Sequence, residues 1–140
     1  GLRFTDNLRL ENDKQHIAQA AVNLAESISA KAIIVPTRRG RMASWVTNCH
    51  PQKSIICAFT NDSRTRRQLV LNRNVLSYRI KFSSDPEKTL CSAAKIMVKR
   101  GQFSFQDRVV VISDALAGSG VEAIQIRQIS DLLPPNSSPP

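Results

Sequence analysis

Two kinds of hydrophobic pattern alternate along the chain. Between residues 12 and 29 the apolar positions recur every three or four residues, as they do on one face of a helix. The segments 31–37, 54–60 and 108–113 are instead short, continuous apolar runs. Such runs are typical of parallel strands that are buried on both faces. The pattern therefore predicts one helix and three central strands.

Two further strands and three further helices follow from the remaining pattern. Residues 75–82 and 123–129 alternate apolar and polar side chains, which indicates strands with one more polar face. The polar sequence 61–63 and the sequence 84–87, with its proline, are typical helix starts, and Gly101 is a typical helix end. The predicted helices cover 41–49, 65–71 and 85–100.

The order of these elements predicts the fold. A helix, three strand–helix units and two final strands are expected to form an α/β fold, a three-layer α/β/α sandwich with a mostly parallel five-stranded sheet. The last connection is too short for a crossover helix, so the last strand is expected to be antiparallel. We expect an N-terminal extension at 1–12, one domain at 13–130 and a flexible Pro/Ser-rich tail at 131–140.

Composition narrows the class of protein. The chain has 140 residues, with 41% hydrophobic and 22% charged residues, which suits one soluble domain. No apolar run approaches the roughly 20 residues that span a bilayer. The three cysteines form no CxxC pair, so neither a zinc site nor a disulfide framework is expected, and Cys57 is predicted to be a buried thiol.

The charge points to an anionic partner. The net charge is +9, which favours phosphate esters, nucleic acid or an acidic protein surface. Few aromatic residues lie near the basic clusters, so a stacking surface for nucleic acid is not favoured. Phosphate esters and an acidic protein surface therefore both stay open as partners.

The segment 35–44, VPTRRGRMAS, places three arginines around a glycine between a predicted strand and a predicted helix. In open α/β sheets ligands bind at the carboxyl ends of the strands, and the start of a helix attracts anions. The alternative is that the arginines face solvent or a neighbouring subunit. No catalytic or metal motif accompanies them, so no catalytic residue is expected. The predicted phosphate-binding residues are Thr37, Arg38, Arg39, Gly40, Arg41, Gly118, Ser119 and Gly120.

The chain also resembles a known family over residues 13–130, the C-terminal domain of pyruvate kinase. The run HPQKSIICAFTNDSRTRRQLVLNRNV, from position 50, follows the family's "RP…PI.A.T…R.L.L..GV" pattern. The run KRGQFSFQDRVVVISDALAGSG, from position 99, resembles its closing "G…GD.VV…G…G..G" pattern. The similar residues occur in the same order as the predicted elements.

This resemblance implies a role in a larger enzyme of glycolysis. In the family, phosphoryl transfer from phosphoenolpyruvate to ADP takes place in a separate upstream barrel with Mg²⁺, K⁺ and ADP/ATP, so this domain alone should be inactive and hold no cofactor. The C-terminal domain forms a subunit interface of a tetramer, and in many members it binds a sugar bisphosphate at the loop corresponding to 37–42. We expect self-association through the helix near 64–71 and the last strand. The predicted interface residues are Arg64, Arg67, Gln68, Leu71, Ile124 and Ile126.

Departures from the family limit the expected ligand. Arg39 and Met42 replace residues that effector-binding members favour as hydroxyls, and the segment 85–101 is short and has no tryptophan. One phosphate subsite is therefore expected in place of a complete fructose bisphosphate site. Arg39 is expected either to replace the charge of the effector or to favour a different anion, such as a sugar monophosphate. A stand-alone domain that senses a small molecule is the alternative function. The expected compartment is the cytoplasm, with the plastid stroma as the alternative.

Overall fold

A computed structural model describes residues 2–116 and 121–135. The helices are α1 (Leu2–Ser27), α2 (Arg41–Asn48), α3 (Ser63–Leu69), α4 (Pro86–Lys99) and α5 (Ile129–Leu132). The strands are β1 (Ala32–Pro36), β2 (Ile55–Thr60), β3 (Val75–Arg79), β4 (Arg108–Leu116) and β5 (Val121–Gln128).

The strands form one five-stranded sheet in the order β3-β2-β1-β4-β5. Strands β1 to β4 run parallel, and β5 is antiparallel to β4. At the centre, Ile34 of β1 lies beside Cys57 of β2 and Val111 of β4. This arrangement confirms the predicted sheet, including the direction of its last strand.

Hydrophobic side chains cover both faces of the sheet. Ile33 and Val35 of β1 belong to a core that they share with α1, α2 and α3. Ile34 faces the other way and joins a second core with α4 and α5. Since successive side chains of a strand point to opposite faces, a strand covered on both sides is apolar throughout. The two cores confirm the predicted α/β/α layers.

Helix α1 is longer than the sequence predicted, and helix α5 was not predicted. Helix α1 begins at Leu2, ten residues before the apolar stripe that predicted it. In this first part of the helix, Leu8 and Leu10 are about half exposed and belong to neither core, so they do not extend the stripe. Helix α5 occupies the start of the predicted tail, where Leu132 is buried in the second core. Residues 136–140 of that tail lie outside the described residues.

Helices α3 and α4 begin at aspartate caps, as the sequence predicted. The Asp62 carboxylate accepts hydrogen bonds from the backbone N–H groups of Arg64 (3.2 Å) and Thr65 (3.3 Å). The Asp85 carboxylate accepts one from Glu87 (3.0 Å). Each cap satisfies N–H groups that have no partner within the first turn of a helix.

Candidate anion-binding site

A cavity of about 780 Å³ lies beside the carboxyl end of β1, and we call it the β1 cavity. The turn between β1 and α2 forms one wall, and the segment that leads into α4 forms another. Residues of α1 also contribute. The polar, charged and aromatic side chains of the lining include Glu11, Lys14, Thr37, Arg38, Arg39, Arg41, Trp45, Ser83, Thr89 and Glu122.

The turn from Thr37 to Gly40 is held by its own hydrogen bonds. The buried Thr37 hydroxyl oxygen accepts from the backbone N–H of Gly40 at 2.9 Å. The Thr60 hydroxyl, which is fully buried, donates to the Arg38 carbonyl at 3.2 Å. Thr37 and Gly40 were predicted to bind phosphate, and in the structure their mutual hydrogen bond shapes the turn that presents the arginines.

Helix α2 begins at the β1 cavity without a side-chain cap. The residue before it, Gly40, has a left-handed backbone (φ 86°), and no side chain caps the helix at this point. This differs from α3 and α4, where aspartates cap the first turn. An uncapped helix start presents backbone N–H groups and the positive end of the helix dipole, which together favour an anion.

The structure divides the arginine cluster into two parts. Arg41 forms a salt bridge in which its Nη1 atom lies 2.8 Å from the Glu11 Oε1 atom on α1. Arg38 and Arg39 are exposed, and neither forms a salt bridge with any residue in the described ranges. Of the three arginines, these two are therefore available to an incoming anion.

Two carboxylates reduce the positive charge of the β1 cavity. Glu11 pairs with Arg41, and Glu122 of β5 lies near Lys14, with 3.9 Å between the carboxylate oxygen and the ammonium nitrogen. The described lining thus holds four cationic side chains and two anionic ones. Its formal charge of about +2 matches one phosphate monoester, which carries about −1.5 to −2.

The sequence prediction did not include the wall that follows β3. Ser83 and Thr89 line it, and the Ser83 backbone N–H donates to the Thr89 hydroxyl oxygen at 2.9 Å. Half-buried Trp45 of α2 lines the cavity as well. Ligands of parallel sheets bind at the carboxyl ends of the strands, so the hydroxyl residues after β3 could have indicated Ser83 and Thr89. No local sequence pattern indicates that Trp45 lines this cavity.

The end of β4 contributes Ser113 to the lining of this cavity. Gly118, Ser119 and Gly120 lie outside the described residues. Thr60, the last residue of β2, supports the turn from behind through its hydrogen bond to the Arg38 carbonyl.

The family model of the pyruvate kinase alpha/beta domain matches residues 15–126. The chain belongs to this family. The match includes every strand except the last two residues of β5. It confirms the family that the sequence resemblance indicated.

Curated pyruvate kinases contain similar sequences. Chloroplastic isozyme A of Nicotiana tabacum is 30% identical over 126 residues, which are 90% of this chain and 19% of that protein. Chloroplastic isozyme A of Ricinus communis is 30% identical over 129 residues, which are 92% of this chain and 20% of that protein. This pyruvate kinase domain thus spans about a fifth of the length of these relatives.

A solved structure shares the fold. A pyruvate kinase from Cryptosporidium parvum superposes with a TM-score of 0.73 at 22% identity. The superposition covers 83% of this chain and 22% of that one. The likeness supports the α/β architecture described above.

The predicted interface residues of this pyruvate kinase domain lie on two separate surfaces. Leu71, which is 85% exposed, follows α3, and α3 contacts β2 and β3. Ile126, which is 48% exposed, lies on β5 at the opposite edge of the sheet. Ile124 is partly buried against the core beneath α1. The two sets therefore cannot form one continuous patch. The remaining predicted residues, all exposed on α3, are Arg64, Arg67 and Gln68.

Neither a metal cluster nor a membrane span is present in the described part of the chain. Within 2–116 and 121–135, no group of three or more histidine, cysteine or acidic side chains has the arrangement of a metal site. No helix in the same ranges is both long and apolar enough to span a bilayer.

Proposed function

We propose that this chain is the regulatory and oligomerisation domain of a pyruvate kinase, and that the β1 cavity binds the phosphate group of an effector. The full-length enzyme would transfer a phosphoryl group from phosphoenolpyruvate to ADP in glycolysis, using Mg²⁺ and K⁺ in an upstream barrel. Family membership and the much greater length of the relatives support this assignment. The domain would respond to a metabolite without taking part in the chemistry.

The uncapped start of α2 carries the proposal for the cavity. Its first turn lines the same cavity as Arg38 and Arg39, which lack salt-bridge partners among the described residues. Arginine donors and a helix start both interact more strongly with a doubly charged phosphate group than with a neutral acceptor. An exposed arginine pair beside a capped helix would attract a phosphate group much less strongly, because the first backbone N–H groups would already be hydrogen-bonded.

The charge of the cavity favours one phosphate group over two. Glu11 and Glu122 lie in the lining and would repel a second phosphate. Ser83 and Thr89 on the opposite wall offer hydroxyl groups to a sugar ring. A sugar monophosphate therefore suits the β1 cavity better than fructose 1,6-bisphosphate.

Calorimetric titration of the 140-residue chain tests this function. We expect glucose 6-phosphate to bind more tightly than inorganic phosphate or fructose 1,6-bisphosphate. Arg39→Ala should weaken glucose 6-phosphate binding about tenfold, because a charge-assisted hydrogen bond contributes about 1.5–3 kcal/mol. Arg73→Ala is the matched control, since Arg73 is exposed and lines neither described cavity.

Two results would oppose the effector site. One is the absence of any heat of binding at millimolar sugar phosphate. The other is equal weakening by Arg39→Ala and Arg73→Ala, which would show a diffuse charge effect. Either result would leave an assembly domain whose arginines face solvent or another subunit.

The open edge of β5 supports the oligomerisation part of the proposal. Among the described strands β5 pairs only with β4, so its outer edge can join a second copy of the same strand. Ile126 is exposed on this strand. Light scattering should show a dimer for the native chain and a monomer for Ile126→Lys. A native monomer at high concentration would contradict self-association.

The plastid is the compartment that the relatives favour. Both isozyme A relatives are chloroplastic proteins and match about nine-tenths of this chain. Organelle fractionation with an antibody to this domain should place it with stromal markers. Recovery with cytoplasmic markers would support the cytoplasmic alternative.

A further inference from the structure

A second cavity of about 620 Å³ lies at the outer edge of the sheet, and we call it the β3 cleft. It shares no lining residue with the β1 cavity. Its lining residues are Ser63, Arg66, Arg67, Tyr78, Arg79, Ile96, Lys99 and Arg100.

The fold creates this cleft because two helices flank an edge strand. Among the described strands β3 pairs only with β2, which leaves its other side open. Helix α3 packs on one face of the sheet through Leu69, and α4 packs on the other through Met97. The last turns of both helices therefore flank the same open edge, and each carries basic residues there.

The charge of the β3 cleft is uniformly positive. Five of its eight lining residues are arginine or lysine, and none is acidic. None of the five forms a salt bridge with another residue in the described ranges. The ends of two helices offset only about −1 of this charge, because each contributes about −0.5. Among the described residues, most of this positive charge therefore has no compensating negative charge in the lining.

The aromatic residue of the cleft is not available for stacking. The Tyr78 ring stacks on Phe59 with 5.3 Å between ring centroids, and the Arg100 guanidinium lies over it at 5.3 Å. Tyr78 is only 8% exposed. A nucleotide base would find no free aromatic face among the residues of this lining, so recognition must rest on charge and hydrogen-bond donors.

We propose that the β3 cleft binds a compact polyanion that carries two or more phosphate groups. Its exposed cationic side chains come from α3, β3 and α4, so they can approach a small ligand from several directions. Guanidinium groups bind phosphate oxygens in pairs of parallel hydrogen bonds. The cleft thereby differs from the β1 cavity, where two carboxylates limit the charge that can be accepted.

Calorimetric titration of the 140-residue chain with pyrophosphate and with orthophosphate tests the cleft. We expect pyrophosphate to bind more tightly than orthophosphate. The double variant Arg66→Gln/Arg79→Gln should weaken pyrophosphate binding about tenfold or more, since two charge-assisted contacts are lost. Both side chains are exposed, and Arg66 accepts the Ser77 hydroxyl only through its backbone carbonyl, so the fold should be retained. Arg73→Gln is the control for net charge.

Two further measurements distinguish the β3 cleft from the β1 cavity and from a nucleic-acid surface. Arg39→Ala should leave pyrophosphate binding within about twofold, because sites without shared partners act independently. Loss of binding in that variant would place pyrophosphate in the β1 cavity and overturn the proposal. So would equal weakening by Arg73→Gln, or no binding at millimolar pyrophosphate. Tight, steeply salt-dependent binding of short duplex DNA without pyrophosphate binding would instead indicate a nucleic-acid surface.

Discussion

Gly40 occupies a backbone conformation that other residues adopt at a cost. Its φ is +86°, and an added Cβ would meet Thr65 and Leu69 only at ordinary contact distances of 3.4–3.5 Å. The cost of Gly40→Ala should therefore come from the backbone and amount to about 1–2 kcal/mol. Urea unfolding at neutral pH measures it.

Gly101→Ala is the matched control for this effect. Gly101 has a similar φ of +76°, with no atom within 4 Å of an added Cβ, and it follows α4 outside the lining of the β1 cavity. Both variants should lose similar stability, but only Gly40→Ala should weaken sugar-phosphate binding. Unchanged binding in Gly40→Ala would show that the turn conformation is not needed for the β1 cavity.

Cys57 should be chemically silent in the folded protein. It is fully buried in the centre of the sheet, and burial raises the pKa of its thiol to about 12. Because the thiolate is the reactive form, iodoacetamide at about pH 8 should not modify it. Mass spectrometry should find Cys57 unlabelled in the native chain and labelled in urea. Rapid native labelling would show that the central strand opens readily.

Glu11 should oppose the proposed binding of an anion in the β1 cavity. Its carboxylate pairs with Arg41 and adds negative charge to the lining. Glu11→Gln should raise glucose 6-phosphate affinity about threefold, because an exposed pair contributes only up to about 1 kcal/mol. Calorimetry measures this gain, with Glu87→Gln as a control outside the lining. A weaker complex would show that Glu11 positions Arg41 for the ligand.

Local chemistry was predictable residue by residue, but long-range pairing was not. Asp62 and Asp85 were identifiable as caps because a cap acts on the residues that directly follow it. The role of Arg41 was not identifiable, since its partner Glu11 lies 30 positions away in the chain. Charge density alone grouped Arg41 with Arg38 and Arg39, whose environments differ.

At the scale of elements, Glu26 connects the end of α1 to the loop before β2. Its carboxylate accepts hydrogen bonds from the backbone N–H groups of Gln52 and Lys53, the latter at 3.0 Å. Burial opposes ionisation of this group, but the backbone donors at 52–54 outweigh it and lower the pKa of Glu26. The carboxylate thus fixes the loop before β2 against the end of α1.

Glu26→Ala should destabilise the fold by about 1 kcal/mol at neutral pH. The folded pKa lies below the ordinary value of 4.5, so this contribution is present above that pH and is lost as the pH falls through the folded pKa. Urea unfolding at neutral and at acidic pH should show the difference between wild type and variant shrink in acid. A pH-independent difference would assign the effect to packing.

Elements that bury an apolar stripe were predictable, and elements or parts without one were not. The central strands and α4 show their burial directly in the sequence, because their core-facing positions must be apolar. Leu8 and Leu10, in the first part of α1, are about half exposed and belong to neither core, so they follow no helical apolar period. Helix α5 has four residues, which is too few for a period to show.

At the scale of the whole molecule, the net charge of +9 destabilises the compact state through self-repulsion. Raising the ionic strength from about 0.01 M to about 0.15 M shortens the Debye length from about 30 Å to about 8 Å. The melting temperature should rise by about 4 °C if screening restores about 1 kcal/mol. Calorimetry in sodium chloride measures this, and a falling melting temperature would mean that attractive pairs dominate.

Sulfate at equal ionic strength extends the same experiment. Screening alone would give sulfate and chloride the same effect. A larger rise in sulfate, reduced in Arg39→Ala or in Arg66→Gln/Arg79→Gln, would locate the excess in the β1 cavity or the β3 cleft. At this scale the sequence predicted the order of the elements. It did not predict the two cavities, because their linings combine side chains from elements that are far apart in the sequence.

Helix α1 extends well beyond the β1 cavity that it helps to line. It contributes Glu11 and Lys14 to the β1 cavity, and it continues from there to Leu2, about 14 Å farther along its axis. Leu8 and Leu10 are about half exposed and belong to neither core, so an anion that took Arg41 from Glu11 should leave this end of α1 more mobile. A spin label near the start of α1 should then report anion binding in the β1 cavity, although the label itself lies outside that cavity.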